Sequence, residues 1–354
     1  MNISQEKTIS QIKTIVRIKG ILQIKLPRLN RHGGPRYGKR RRSGQRGVAL
    51  LATMMAVSLM TILIIDFTNS TSIAYRSAAN QANQLRAYYL ARSAVQVGIA
   101  LLADDVRKSA LSNTPRVDSF QSLWALPLPP LPVGGGWANL SIIDEGRKLN
   151  INQLVGPNGQ INQPFADTLT RLLTTLGLDP TVVMPPIVDW LDPDSIDSPG
   201  GAESDYYLRL VPPYEARNGP MPTIGDLRLI KGIDETMFRR LRNFITTTPS
   251  SRVNINTAPP EVLMAVAPQL SESASVLQTI LQTRMAHPYT NLADVSQSPG
   301  LSGLSSPLPP TLATTSDYFT VTGLGSFAGT RTYVYATIRR TGPGPQLLLS
   351  WHED

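Results

Sequence analysis

The hydrophobic pattern of the chain begins with an unbroken apolar block. From Val48 to Ile65 run eighteen residues without a charge. At 1.5 Å rise per residue a helix of that length covers roughly 27 Å, enough to cross a hydrocarbon core. Asp66 closes the block. Beyond it the chain stays Ala-rich and free of Pro and Gly as far as Gly98, with Leu85, Tyr88, Val95, Ile99, Leu102 and Val106 at three- and four-residue steps or their sums. The pattern predicts one helix from Val48 to about Lys108. Its first third (48–65) is membrane-buried, and its last third lays an apolar stripe on a globular head.

Pro127, Pro129, Pro130, Pro132 and Gly134 to Gly136 form a connector that is neither helix nor central strand. Trp137 to Ile143 then alternates like a strand, and Asp144-Glu145-Gly146 is a turn signal leading to Leu149-Asn150-Ile151-Asn152. The chain ends in three β runs, Tyr318 to Leu324, Thr330 to Arg339 and Gln346 to Trp351. Between these β pieces the period changes to helical. Phe165, Leu169, Leu172, Leu173 and Leu176 share a face. Thr223 is placed to cap a helix through Ile230, Asp234 one through Ile245, and Thr257 one through Val266, and a last helix runs from about Ser273 to Met285. The expected fold class is α+β: a head of residues 66–156 and 309–354, in which the long helix packs on a small antiparallel sheet, with an α-helical domain of residues 157–308 inserted.

Charge changes this picture at one end only. The chain of 354 residues carries +9, but residues 1–47 hold thirteen Lys and Arg against the single acid Glu6, so residues 48–354 carry −3. Reading the folded part as a basic nucleic-acid binder would be an averaging error. Lys39, Arg40, Arg41, Arg42 and Arg46 precede the apolar block, which places the N-terminus in the cytoplasm and the C-terminal part outside. Residues 1–35 show no end signals and are expected to form no stable fold; a start nearer Arg40, at a non-Met codon, would shorten the leader. The small residue Gly47 comes before the apolar block, where a secretory signal would place it after. Gly47 followed by Val48 resembles a class III prepilin leader, cut on the cytoplasmic face; the alternative is a plain signal anchor with a chance glycine.

The chain has no cysteine, and its three histidines, His32, His287 and His352, lie far apart. Disulfide and thiolate chemistry are excluded, and zinc or a His-based triad has little material. The densest set of oxygen ligands is the acidic run holding Asp189, Asp192, Asp194, Asp197, Glu203 and Asp205, six carboxylates in seventeen residues of turn-forming sequence. Unpaired carboxylates so close repel unless a cation neutralises them, and calcium accepts six to eight oxygens from flexible loops. The spacing is not that of an EF-hand, and a solvated acidic loop is the competing reading.

Asp189-Trp190-Leu191-Asp192-Pro193-Asp194, Gly201-Ala202-Glu203, Tyr206-Tyr207, Asp226 to Ile233 and Val253-Asn254-Ile255-Asn256-Thr257-Ala258, with the Gly47 leader, closely resemble the type II secretion system protein K family. The resemblance covers nearly all of the chain from Arg46 onward. It implies a minor pseudopilin with a pilin-like head, an inserted α-domain with helix-hairpin-helix-like elements, and bound calcium. It further implies a place at the tip of a periplasmic pseudopilus, anchored in the inner membrane, with other minor pseudopilins, the major pseudopilin, prepilin peptidase and inner membrane lipid as partners. Calcium is implied at Asp192, Asp194, Glu203 and Asp205, with Asp189 and Asp197 as further candidates.

Ile230-Lys231-Gly232-Ile233 also looks like a helix-hairpin-helix turn, which in DNA-binding proteins offers backbone N–H groups to phosphate, and the 253–258 run has a similar flavour. A membrane-anchored DNA receptor is therefore the second reading. Against it, Asp234 stands where a second glycine is usual, and the insert is acidic on balance; Lys231 and Gly232 are expected to form a structural hairpin, with no nucleic acid bound. No nucleophile with a base, catalytic carboxylate pair or phosphate loop stands out, so a periplasmic enzyme, the third reading, is not expected.

Overall fold

The structure is a computed structural model in which residues 45–271, 273–297, 308–342 and 346–353 are described. The basic leader up to residue 44 lies outside them. The chain divides into two compact units, residues 1–71 and 72–354. Helix α1, Gln45–Ser112, contributes to both. In the first unit every side chain from Val48 to Ile65 is exposed. Thr53, Thr61 and Thr68 return their hydroxyls to carbonyls three or four residues back (2.7–2.8 Å), which satisfies them without water, as lipid demands. Among the described residues this is the one helix long and apolar enough to cross a membrane.

The second unit continues with strands β1 (Leu131–Val133), β2 (Gly136–Asp144) and β3 (Leu149–Asn150), then helices α2 (Gln163–Thr175), α3 (Pro180–Leu191), α4 (Ser204–Tyr207) and α5 (Glu235–Leu241). Short strands β4 (Ile245–Thr246) and β5 (Val253–Asn254) lead to helices α6 (Pro260–Val266), α7 (Ala274–Ala286) and α8 (Leu292–Ser296). Strand β6 (Leu312–Ala313) precedes β7 (Tyr318–Phe327), β8 (Thr330–Arg339) and β9 (Leu347–Glu353). One antiparallel sheet runs β1-β2-β7-β8-β9. Strands β2 and β7 are neighbours, in register from Trp137↔Ser326 to Asp144↔Phe319, so residues 145–317 are an insertion between two paired strands. Two parallel pairs, β3 with β4 and β5 with β6, lie within it.

The apolar stripe of α1 meets the sheet from Tyr88 onward, whereas Leu85, expected in the stripe, is exposed because it lies before the helix reaches the core. Ala91, Val95 and Leu102 form one core with Trp124, Phe319, Val321, Val334, Ala336 and Ile338. The approach is unusually close at two strand positions two residues apart, hence on one face: a Cβ on Gly323 or Gly325 would collide with the carbonyl oxygens of Ala91 and Ala87. Small residues on both sides let backbone meet backbone.

The insert has its own core, built from residues such as Leu169, Leu172, Ile187, Leu227, Leu241 and Leu263. It joins the head through buried polar groups. Asp144, at the end of β2, accepts hydrogen bonds from Gly146 N (2.7 Å), Asn254 Nδ2 (3.0 Å), Thr257 Oγ1 (2.6 Å) and Ser316 Oγ (2.8 Å). Asn256 binds both the N–H and the carbonyl of Tyr289 (2.9 and 3.0 Å). The 253–258 run is thus a structural bolt.

Four further local expectations change. Helix α3 is not signalled by the sequence, with three prolines in twelve residues; Pro180 occupies a first turn where no N–H is missed, and burial of Val183, Ile187, Val188 and Leu191 outweighs Pro185 and Pro186. The segment after Thr223 is a tight 3-10 stretch, Ile224–Leu229, and Thr223 gives its hydroxyl to Asp226 (2.9 Å). Thr257 caps no helix, because the helix starts only at Pro260 with Pro259 at its N-cap, and Thr257 instead donates its hydroxyl to Asp144. Helix α5 keeps its Asp234 cap (2.7 Å to Met237 N) but stops at Leu241, since Ile245 and Thr246 pair with β3.

Candidate metal centre

The acidic run starts on a helix and not in a turn. Asp179 caps α3 by accepting from Thr181 N (2.9 Å), and Asp192 N still donates to Val188 O (2.9 Å) at the other end. Asp189, Trp190 and Leu191 are therefore the buried last turn of α3. The Trp190 ring meets Tyr207 edge-on (centroids 5.2 Å), and Tyr207 stacks on Tyr214 (5.3 Å). These aromatic contacts anchor both ends of the loop that carries the remaining acids.

Across this region, from the last turn of α3 to α4, the six carboxylates separate into different tasks. Asp189 is fully buried and accepts from Ser198 N with both oxygens (3.2 and 3.1 Å); it also lies so close to Gly201 that a Cβ there would collide with it. Asp197 accepts from Glu203 N (2.9 Å). Both hold the loop's shape. Asp205 is exposed on α4 and is not among the acids brought together. Asp192, Asp194 and Glu203 are brought together: one carboxylate oxygen from each lies within 4.8 Å of the others.

Asp192 and Glu203 are buried, and Asp192 Oδ1 and both Glu203 oxygens have no hydrogen-bond partner. Burial, with Asp194 and Asp189 nearby, pushes the Asp192 carboxyl up to about 6. Burial, with Asp189, Asp192, Asp194 and Asp197 around it, pushes Glu203 up to about 7. Buried charges that are neither hydrogen-bonded nor paired are costly. Two oxygens on opposite sides of one calcium, at 2.3–2.6 Å each, stand about 5 Å apart, so the observed spread is one that such an ion spans. Three carboxylates supply part of its oxygen shell. Sequence reasoning passed over Asn218, which adopts a left-handed backbone (φ 48°), donates its amide to Asp194 O, and keeps its own side-chain oxygen buried without a partner.

The hairpin residues face this loop. Lys231 Nζ donates to Gly201 O (2.8 Å) and Gly200 O (3.4 Å), its N–H donates to Tyr207 Oη (3.2 Å), and Gly232 (φ +80°) makes the turn. Gly47 and Val48 sit in the exposed first turns of α1.

A long N-terminal helix on an antiparallel sheet, with a helical insertion between two sheet strands, defines a pilin-like subunit with an inserted domain. A chain of the crystal structure of the GspK-GspI-GspJ complex from the enterotoxigenic Escherichia coli type 2 secretion system shares this fold: the TM-score is 0.65 at 20% identity, over 79% of this chain and 99% of that one. Models of type II secretion system protein K match residues 147–250 and 253–315. Type II secretion system protein K of Pseudomonas aeruginosa is 32% identical over 231 residues, 64% of this chain and 69% of its own length. That of Klebsiella pneumoniae is 27% identical over 267 residues, 73% and 80% of the two chains. The chain belongs to the type II secretion system protein K family and is a minor pseudopilin.

Proposed function

We propose that this subunit caps the tip of a periplasmic pseudopilus and helps to start its assembly for the export of folded proteins. Cleavage after Gly47 leaves α1 as a single-pass anchor in the inner membrane, N-terminus toward the cytoplasm and head in the periplasm. It works as a structural subunit and not as an enzyme. Its partners are other minor pseudopilins, in line with a structural neighbour solved together with GspI and GspJ, and the major pseudopilin, prepilin peptidase and inner membrane lipid. Calcium held by Asp192, Asp194 and Glu203 supplies the positive charge that these acids lack and orders the loop.

The observation that carries the tip position is Ala52. In the pilin-like pattern the fifth mature residue is usually glutamate, whose carboxylate neutralises the N-terminal amine of the subunit above. Counting from Val48, that place holds Ala52. An amine left unpaired in lipid is expensive, so a subunit lacking the carboxylate is tolerated best with no subunit above it. An insertion of the size of 145–317 between β2 and β7 argues the same way, because such bulk obstructs stacking along a shaft but not at its end. Immunogold labelling of sheared pseudopili tests the reading. Label at one end supports it, and regular label along the fibre removes it.

A further inference from the structure

The hairpin Ile230–Ile233 has the outline of a phosphate-binding turn, yet its lysine points elsewhere. We infer that Lys231 is the positioning residue of the metal loop: it clamps Gly200 and Gly201 so that Glu203 is held facing Asp192 and Asp194. The inference rests on the calcium reading and adds to it a residue that is not a ligand.

The clamp is rigid on both sides. Ile230 and Ile233 are buried, Ile233 N bonds to Ile230 O (3.1 Å), and the Asp234 cap fixes the start of α5. Lys231 therefore leaves a backbone that has little freedom. Its N–H is tied to Tyr207, its ammonium lies 5.2 Å from the Tyr206 ring centroid, and Nζ reaches the two glycine carbonyls. On the other side of the same segment Asp189 holds Ser198 N and abuts Gly201. The segment 198–201 is gripped between a buried carboxylate and a lysine, and Glu203 follows two residues later. In the ion-free state the acids repel one another, and the loop would open without such a grip. By binding carbonyls, Lys231 closes the loop without neutralising any of the carboxylates a cation needs.

Charge and clamping make opposite predictions, which renders the inference testable. Removing a cation from the neighbourhood of a metal site strengthens metal binding by simple electrostatics. Removing a group that presets the ligands weakens it, by about 10–100-fold where outer partners of metal ligands have been deleted.

The experiment is calcium titration calorimetry on the full chain in detergent, wild type against Lys231→Met and Lys231→Arg. The clamp predicts at least tenfold weaker binding in Lys231→Met and substantial recovery in Lys231→Arg. It also predicts faster exchange of the Ser198, Gly201 and Glu203 amides in calcium-free Lys231→Met. A purely structural lysine would lower the calcium-free melting temperature and leave the affinity alone. Equal or tighter binding by Lys231→Met, with the wild type binding calcium, overturns the clamp and spares the metal. A wild type that ignores calcium removes the metal reading and this inference with it. Should Lys231→Met fail to fold, Lys231→Leu, which likewise removes both the donor and the charge, takes its place with the same expected direction.

Discussion

Raising the pH of the calcium-free protein should destabilise it, and calcium should abolish that effect. The perturbation acts on Glu203, whose carboxyl is pushed from 4.5 to about 7 by burial and the surrounding acids. A folded state that binds a proton more tightly than the unfolded chain is favoured at low pH. The contribution is fully present below about 4.5 and is lost as pH rises through about 7. At about 1.4 kcal/mol per pH unit that interval amounts to about 3 kcal/mol. Water reaching the loop screens part of it, so a loss of about 1–3 kcal/mol is expected, or roughly 2–10 °C in melting temperature for a chain of this size. Calcium binds only the ionised acids, so its stabilisation grows with pH and reaches about 2.7 kcal/mol at a hundredfold excess over Kd. Thermal melts of the full chain in detergent at pH 5.5 and 8, with and without calcium, measure both trends. Asp144 and Asp192, each raised by burial to about 6, shift in the same direction over a lower range, and Glu203→Gln separates Glu203 from them by flattening the upper part of the slope. A calcium-free melting temperature that rises from pH 5.5 to 8, or a calcium increment equal at both, refutes the reasoning.

Further outcomes follow from the rest of the molecule. Gly325→Ala puts a methyl against the Ala87 carbonyl; urea unfolding should show a loss of about 1–3 kcal/mol, and an unchanged midpoint would contradict the close approach of α1 to the sheet. Arg340 is buried and binds Asp118, Asp105 (3.1 Å) and Ser316 O (2.7 Å). Arg340→Met leaves the buried Asp118 charge without that partner and should cost about 3–5 kcal/mol in the same assay. Mass analysis of membrane-extracted protein should find a methylated Val48 at the mature N-terminus, and an uncut leader in cells with an active prepilin peptidase would count against the leader. Duplex DNA should not bind at physiological salt, with Lys231 already engaged; micromolar binding with a steep salt slope would restore the receptor reading.

Much of the fold was legible because it rests on periodicity. The α1 stripe from Tyr88 onward, strands β2, β7 and β8, and helix α2 follow their periods, and composition and turn signals put β9 and α7 within a few residues of expectation. Elements whose fate depends on distant partners were not legible. Thr257 has the chemistry of a helix cap, but the helix starts at Pro260 and Thr257 instead ties its run to a buried carboxylate more than a hundred residues away. Ile245 continues a helical pattern, yet β3 needs a partner strand. Helix α3 hides behind its prolines because propensity is local and the burial that outweighs it is not.

The acidic loop shows the same division at the scale of single side chains. Composition marks all six acids equally, since each is a carboxylate in one short run. What distinguishes them is where the loop places each carboxylate and which oxygens it leaves buried without a partner. Asp189 and Asp197 accept loop amides and act as scaffold, Asp205 rides outward on α4, and Asp192 and Glu203 remain buried with unclaimed oxygens beside Asp194. A carboxylate that accepts one loop N–H keeps its second oxygen, as Asp194 does with Ile196 N (2.9 Å), so it is position and not loop hydrogen bonding that separates Asp194 from Asp197. The glycine at 201, where any Cβ would strike Asp189, is what lets the loop close tightly enough to set those positions.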